Sequence, residues 1–277
     1  NTGFGNLSHI QIDSGDIDKL QVNLIRSHAS GVGSPLHPGI VRAILFLKLL
    51  TFAKGYSGVS IDLVKKIIQF LNKDLLPVIP EKGSVGASGD LAPLGHMALA
   101  LIGEGEVFFK GNREKALTAL KKARVKPLSL KPKEGISLIN GTQVSTAIAI
   151  KALLDGHRLL ISADIAGALS VENSFSSHKV FQKKIHDLKK HPGQKISARN
   201  IYKLLSKSEI VRSHSNCGKV QDPYSFRCIP HVHGASRDIF SNAANIINNE
   251  INSVSDNPLI LDSKTIVSSG HFHAEHV

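Results

Sequence analysis

Apolar residues recur along most of this chain at helical spacing. Behind Asp13 and Asp16, Leu20, Val22, Leu24 and Ile25 predict an amphipathic helix ending near Gly31. Pro38 opens a second run, in which Ile40, Val41, Ile44, Leu45, Leu47 and Leu50 are spread widely enough to predict burial on most sides. Ser60 is placed to cap a helix over 61–71, and Asp90 to cap one over 91–102, with Pro93 tolerated in its first turn. Helices are also predicted over 115–124 and 236–254. The stretch 142–171 is long, apolar and rich in Ala and Leu. Interruptions such as Gly156 and Gly167 predict a buried helix with at most one break. One segment departs from this period: Val107, Phe108 and Phe109 followed by Gly111-Asn112 predict a short hairpin within 104–113. No internal repeat or low-complexity linker interrupts the pattern. The expectation is a mainly α chain, one continuous helical domain over 1–277, with irregular glycine-rich loops between its helices.

Composition narrows the class. The chain has 277 residues, enough for a full core, and 42% hydrophobic with 20% charged residues argues against disorder. No apolar stretch approaches the ~18 residues of a membrane span, and residues 1–13 show neither a basic start nor an apolar signal segment. Two cysteines, Cys217 and Cys228, form neither a disulfide framework nor a metal-finger pattern, so a cytoplasmic setting is expected. The net charge of +12 suits a polyanion binder, but the excess is local. Over 179–207, eight lysines and one arginine face a single acid, Asp187. That stretch reads first as a solvated basic face and second as a polyanion site; nucleic acid is not the expected partner.

Loops between rigid helices are where chemistry is expected. Four stand out: Asn1-Thr2-Gly3-Phe4-Gly5, the run from Gly83 to Asp90, Asn140-Gly141-Thr142-Gln143, and Gln221-Asp222-Pro223-Tyr224-Ser225-Phe226-Arg227. Gly83-Ser84-Val85-Gly86-Ala87-Ser88-Gly89-Asp90 holds three glycines and two serines in eight residues, which permit unusual backbone angles and close approach. It can be a tight turn before a helix. As a phosphate loop it lacks the Gly-Lys-Ser/Thr ending. A third reading is covalent: the Gly89 nitrogen attacks the Ala87 carbonyl carbon, and loss of two waters leaves a five-membered ring with an exocyclic methylidene. Gly89 leaves the attack unhindered, Ser88 supplies the departing hydroxyl, and Ala87 is small enough for a compressed loop.

The string from Gly83 through Asp90-Leu91-Ala92-Pro93-Leu94 resembles the signature of the aromatic amino acid ammonia-lyases. Asn1-Thr2-Gly3-Phe4-Gly5, Leu138-Ile139-Asn140-Gly141-Thr142-Gln143, the run from Gln221 to Cys228, and Ser255-Asp256-Asn257-Pro258-Leu259 resemble the same family in the same order. The resemblance implies a helical bundle of the fumarase/aspartase-like class and a homotetramer. It also implies a 4-methylidene-imidazol-5-one group made autocatalytically from Ala87-Ser88-Gly89. Ser27-His28, within Ser27-His28-Ala29-Ser30-Gly31-Val32-Gly33, resembles the selector pair of the histidine-specific branch. That implies L-histidine as substrate and trans-urocanate with ammonia as products, since a polar pair can hydrogen-bond an imidazole.

The resemblance further implies that Arg227 clamps the substrate carboxylate, with Tyr224 and Gln221 beside the prosthetic group. Asn140 would hydrogen-bond the imidazolone oxygen or the carboxylate, and Phe272 would pack beside the ring. The family's tyrosine base precedes the position of Asn1, and its helices continue beyond residue 277 with an active-site glutamate. A fragment with little turnover is therefore expected of this stretch alone, and a non-catalytic remnant is the alternative. His231, His271 and His276 depart from the family's usual Gln, Asn and Pro. With His273, the last two raise the alternative of a metal cluster; no metal is expected.

Overall fold

Helices form where the apolar spacing predicts them. The computed structural model describes residues 9–277. After a short 3-10 turn at Ser14–Asp16 come α1 (Ile17–His28), β1 (Val32–Pro35), α2 (Pro38–Ala53), α3 (Ile61–Asn72), β2 (Leu75–Pro77) and β3 (Pro80–Lys82). Then follow α4 (Leu91–Leu101), β4 (Glu106–Phe109), β5 (Asn112–Lys115), α5 (Ala116–Lys122), α6 (Glu134–Ile139) and α7 (Gln143–Asn173). A 3-10 turn at His178–Phe181 leads to α8 (Lys183–His186), α9 (Pro192–Leu205), α10 (Glu209–Ser213), α11 (Tyr224–Arg227), α12 (Ile229–Ile251), β6 (Leu259–Ile260) and β7 (Ile266–Val267). The described residues gather into two compact units, one reaching to Ile150 and resuming at Ile247–Val277, the other Lys151–Ile246.

In the first unit, Ile25, Ile44, Leu45, Leu63, Phe70 and Met97 pack into one core from α1 to α4. Burying each such side chain contributes roughly 1.5–3 kcal/mol. Helix starts are fixed locally. Ser60 Oγ accepts from Leu63 N at 3.4 Å, as its position before α3 predicts. The fully buried Glu134 carboxylate accepts from Ser60 N at 2.9 Å and Lys131 N at 2.7 Å, tying the start of α3 to the start of α6.

The expected hairpin forms, one residue earlier than Gly111-Asn112 suggests. Its turn is Lys110-Gly111, both at positive φ (52° and 82°), and Asn112 already pairs with Phe109. Two-residue hairpin turns need that left-handed pair. The spacing did not reveal β2, which joins β4 antiparallel, or the β1–β3 pair, because runs of three or four residues containing proline carry no alternation.

The long helix α7 is unbroken over 31 residues. Within the second unit, Gly156 is no interruption but a seat: a Cβ there would run into the Phe240 ring on α12. Burial is one-sided, since Leu154, Leu159 and Leu169 are 57%, 69% and 53% exposed. This unit has its own core of Val171, Phe181, Ile201 and Leu205. Beside it, the buried Asp164 carboxylate accepts from Asn200 Nδ2 (2.8 Å), His233 Nδ1 (3.0 Å) and Arg237 Nη2 (2.7 Å). Burial pushes its carboxyl up, but these three partners hold it below the usual range.

Gly156→Ala is expected to destabilise by roughly 1–3 kcal/mol, because overpacking against Phe240 outweighs alanine's better helix propensity of about 1 kcal/mol. Urea unfolding measures it; a raised midpoint would show that the ring moves aside freely.

Candidate active site

The run from Gly83 to Asp90 links β3 to α4, and its end is clamped against the start of α7. Gly89 has φ 74° and lies on Gly141 so closely that a Cβ would come within 2.8 Å of Gly141 N. Only glycine tolerates both conditions. Asp90 N donates to Gly141 O at 2.8 Å, and Asn140 Nδ2 donates to Ser88 O at 2.9 Å. Asn140 is 2% exposed, and its Oδ1 is buried without a partner. Gly86 and Gly89 face each other across the turn, with Ala87 and Ser88 between them.

Asp90 precedes α4, but its side chain does not cap that helix. Its fully buried carboxylate instead accepts from Val144 N, Ser145 N (both 2.8 Å), Ser145 Oγ (2.7 Å) and Ser84 Oγ (2.6 Å). The first free N–H groups of α7, at the positive end of a long helix dipole, hold a carboxylate better than the first turn of α4. One side chain thus binds the loop, α4 and α7 together.

Ser27-His28 stands at the end of α1. Half-buried His28 has Nδ1 2.8 Å from Leu24 O, and a carbonyl only accepts, so Nδ1 is the donor there and the neutral ring presents Nε2 as its acceptor. Ser27 Oγ donates to the same carbonyl at 2.8 Å. Gly95 lets the end of α1 lie directly on α4, since a Cβ there would meet Ala29 N at 3.0 Å. Gly31 N donates to His96 Nε2 at 3.0 Å; burial pushes the His96 imidazole down, which keeps that nitrogen unprotonated. Gly31 also touches the loop at Gly83. The half-buried Phe272 lies in a terminal segment tied to the same loop by Ala274 N donating to Gly86 O at 3.1 Å.

His28, Ala87-Ser88-Gly89 and Asn140, with the segment bearing Phe272, are therefore grouped in the first unit. Gln221, Tyr224 and Arg227 belong to the second. There Tyr224 is 73% exposed on the short α11. The Arg227 guanidinium lies 4.9 Å over its ring, and Arg227 Nε donates to Asp222 O at 2.7 Å. Gln221 and Arg227 line a cleft of about 760 Å³ with Phe175, His178 and Lys179. Asn1-Thr2-Gly3-Phe4-Gly5 lies outside the described residues. His271, His273 and His276 are exposed, and among the described residues no three His, Cys, Asp or Glu side chains gather as a metal site. In the basic stretch, Lys183 and Lys195 both pair with Asp187.

Lys48 was missed by the sequence reading. It is fully buried on α2, and Nζ donates to Asn140 O at 2.6 Å and Gln143 Oε1 at 3.3 Å. Burial pushes its ammonium down to about 8, against a partial pull upward from Asp256. Its position, three after Leu45 and four after Ile44 on the apolar face, was the available signal.

Asp90→Ala leaves two backbone N–H groups and two hydroxyls facing an apolar methyl, and is expected to cost roughly 3–5 kcal/mol. Denaturant titration checks it; a loss under about 1 kcal/mol would mean that water replaces the carboxylate.

Comparison with known proteins places the whole chain in one family. The family model of the aromatic amino acid lyases matches residues 1–277. Histidine ammonia-lyase of Myxococcus xanthus (strain DK1622) is 49% identical over all of this chain and 55% of its own length; that of Stigmatella aurantiaca is 50% identical, over 54% of its length. The crystal structure of histidine ammonia-lyase from Trypanosoma cruzi superposes with a TM-score of 0.88 at 35% identity, over 99% of this chain and 52% of that one. The chain thus spans about half the length of the curated relatives it matches. The mainly helical, fumarase-like architecture expected from the sequence is the one found. With the family model matching residues 1–277 throughout, the chain belongs to the aromatic amino acid lyase family.

Proposed function

We propose that the protein bearing this sequence is a histidine ammonia-lyase, converting L-histidine to trans-urocanate and ammonia. The observation that carries this reading is the clamp on Ala87-Ser88-Gly89. Gly89 is held at positive φ on Gly141, and Ser88 O is held by Asn140, in a loop whose first residue, Gly83, meets Gly31 shortly after the Ser27-His28 pair. The residues fit a 4-methylidene-imidazol-5-one made from Ala87-Ser88-Gly89. Ser88 O is the atom that becomes the imidazolone oxygen, and it already has a buried donor. The unpartnered Asn140 Oδ1 leaves one further acceptor buried at the same place. When formed, the group supplies an electrophilic carbon for the amine.

The chain's own residues do the rest. His28 Nε2 accepts from the substrate imidazole N–H, because Leu24 O holds the proton on Nδ1. The Arg227 guanidinium takes the carboxylate as a charge-assisted pair. The roles that their strings imply would have Tyr224 and Gln221 orient the reacting group and substrate, and Phe272 line the ring. We also read the protein as a homotetramer. The exposed Leu154, Leu159 and Leu169 of α7 support this, as an apolar face that a single chain leaves uncovered. A cytoplasmic setting fits the free Cys217 and Cys228. No described helix is long and apolar enough to cross a membrane.

The test is urocanate absorbance after adding L-histidine to the protein at its natural length. Wild type is expected to turn over and Ser88→Ala to lose all measurable activity. His28→Leu should lower kcat/KM about tenfold to a hundredfold, the worth of one buried hydrogen bond. No urocanate from correctly folded wild type would leave a non-catalytic relative that keeps only the fold.

A further inference from the structure

We infer that Lys48 is a positioning residue for closure of Ala87-Ser88-Gly89 into its ring, acting through Asn140 on Ser88 O. The inference rests on the lyase reading above.

A buried ammonium is costly unless paired and hydrogen-bonded, and an apolar residue of similar shape at such a place is often neutral or stabilising. Lys48 shares the core face of α2 with Val41, Ile44, Leu45 and Phe52, and methionine would suit that surface. Among the described residues no carboxylate forms an ion pair with it. The charge is spent instead on the carbonyl of Asn140, at 2.6 Å, and on Gln143 Oε1, at 3.3 Å. Gln143 is fixed in turn by its Nε2, which donates to Thr51 Oγ1 at 3.0 Å and Ser255 Oγ at 2.9 Å. A charge-assisted bond to a peptide carbonyl therefore anchors the residue whose side chain holds Ser88 O and whose next neighbour seats Gly89.

Closure needs both contacts. The Gly89 nitrogen bonds to the Ala87 carbonyl carbon. That oxygen leaves as water with the amide protons of Gly89 and Ser88, and a carbon–nitrogen double bond forms at the Ser88 nitrogen. The second water takes the Ser88 hydroxyl and the Ser88 Cα proton, leaving the methylidene double bond. No oxidant or reductant is required. Loss of the Cα proton places negative charge on Ser88 O, where Asn140 Nδ2 already donates. If Asn140 is free to turn, that donor and the Gly141 seat are lost together.

The charged groups facing Lys48 are Asp256 beyond α12, Lys133 before α6 and Asp90 before α4. Its ammonium is lost as pH rises through about 8. Closure in wild type should therefore slow above that pH and be steady below it, because the charged form makes the stronger bond to Asn140 O.

The experiment follows intact mass with time after cell-free synthesis of the protein at its natural length. It compares wild type, Lys48→Met and Ser88→Ala, with thermal melting of each. Wild type should lose two waters. Lys48→Met should melt like wild type yet lose them at least tenfold more slowly, with a rate that does not change with pH. Maturation of Lys48→Met at the wild-type rate would overturn the role of Lys48 and leave the lyase reading intact. A wild type that never loses two waters would overturn the lyase reading itself. If Lys48→Met fails to fold, the wild-type rate across pH decides: a fall above about 8 supports the role, and a flat profile overturns it.

Discussion

Everything in the first unit turns on one close approach between two stretches of backbone, Gly89 against Gly141. No side chain fits between them, so the contact requires glycine on the loop, and Gly89 must hold the left-handed region to make it. Two hydrogen bonds close it from either side, Asn140 Nδ2 to Ser88 O and Asp90 N to Gly141 O. The three residues 87–89 are thus held in a compressed turn whose carbonyl points at a buried donor.

The surroundings here are polar and buried, which is unusual for a helical core. Asp90 collects four donors from the start of α7 and the loop, Glu134 collects two at the starts of α3 and α6, and Lys48 donates hydrogen bonds to Asn140 O and Gln143 Oε1. Satisfied networks of this kind specify one arrangement, whereas a half-satisfied one costs more than an apolar core. They join elements far apart in the sequence at the point where the loop must be rigid. The apolar core from Ile25 to Met97 supplies the burial, and the polar clamps set the geometry.

Much of this was legible in the sequence, and the failures have physical causes. Helix positions followed from apolar spacing, and Ser60 announced its own helix. The covalent reading of Ala87-Ser88-Gly89 was open from residue type, beside the plainer reading as a tight turn before a helix. Asp90 was recognisable as a cap but not as the cap of a helix beginning more than fifty residues later, since capping partners brought together by the fold leave no local trace. Gly156 looked like a break because spacing does not show Phe240 lying opposite. Lys48 lay on an apolar face, where one lysine reads as a helix edge until its burial is known. Gln221, Tyr224 and Arg227 carried a recognisable string, but the stacking of Arg227 on Tyr224 and its bond to Asp222 O are not written in local pattern.

The central claim is covalent, so mass tests it most directly. Trypsin should release residues 83–110 as one peptide, bounded by Lys82 and Lys110, that contains the whole loop. From mature, folded protein that peptide is expected to be lighter than its sequence by two waters, with fragmentation placing the entire deficit within residues 87–89. A peptide of full sequence mass, or a deficit lying elsewhere, would contradict it.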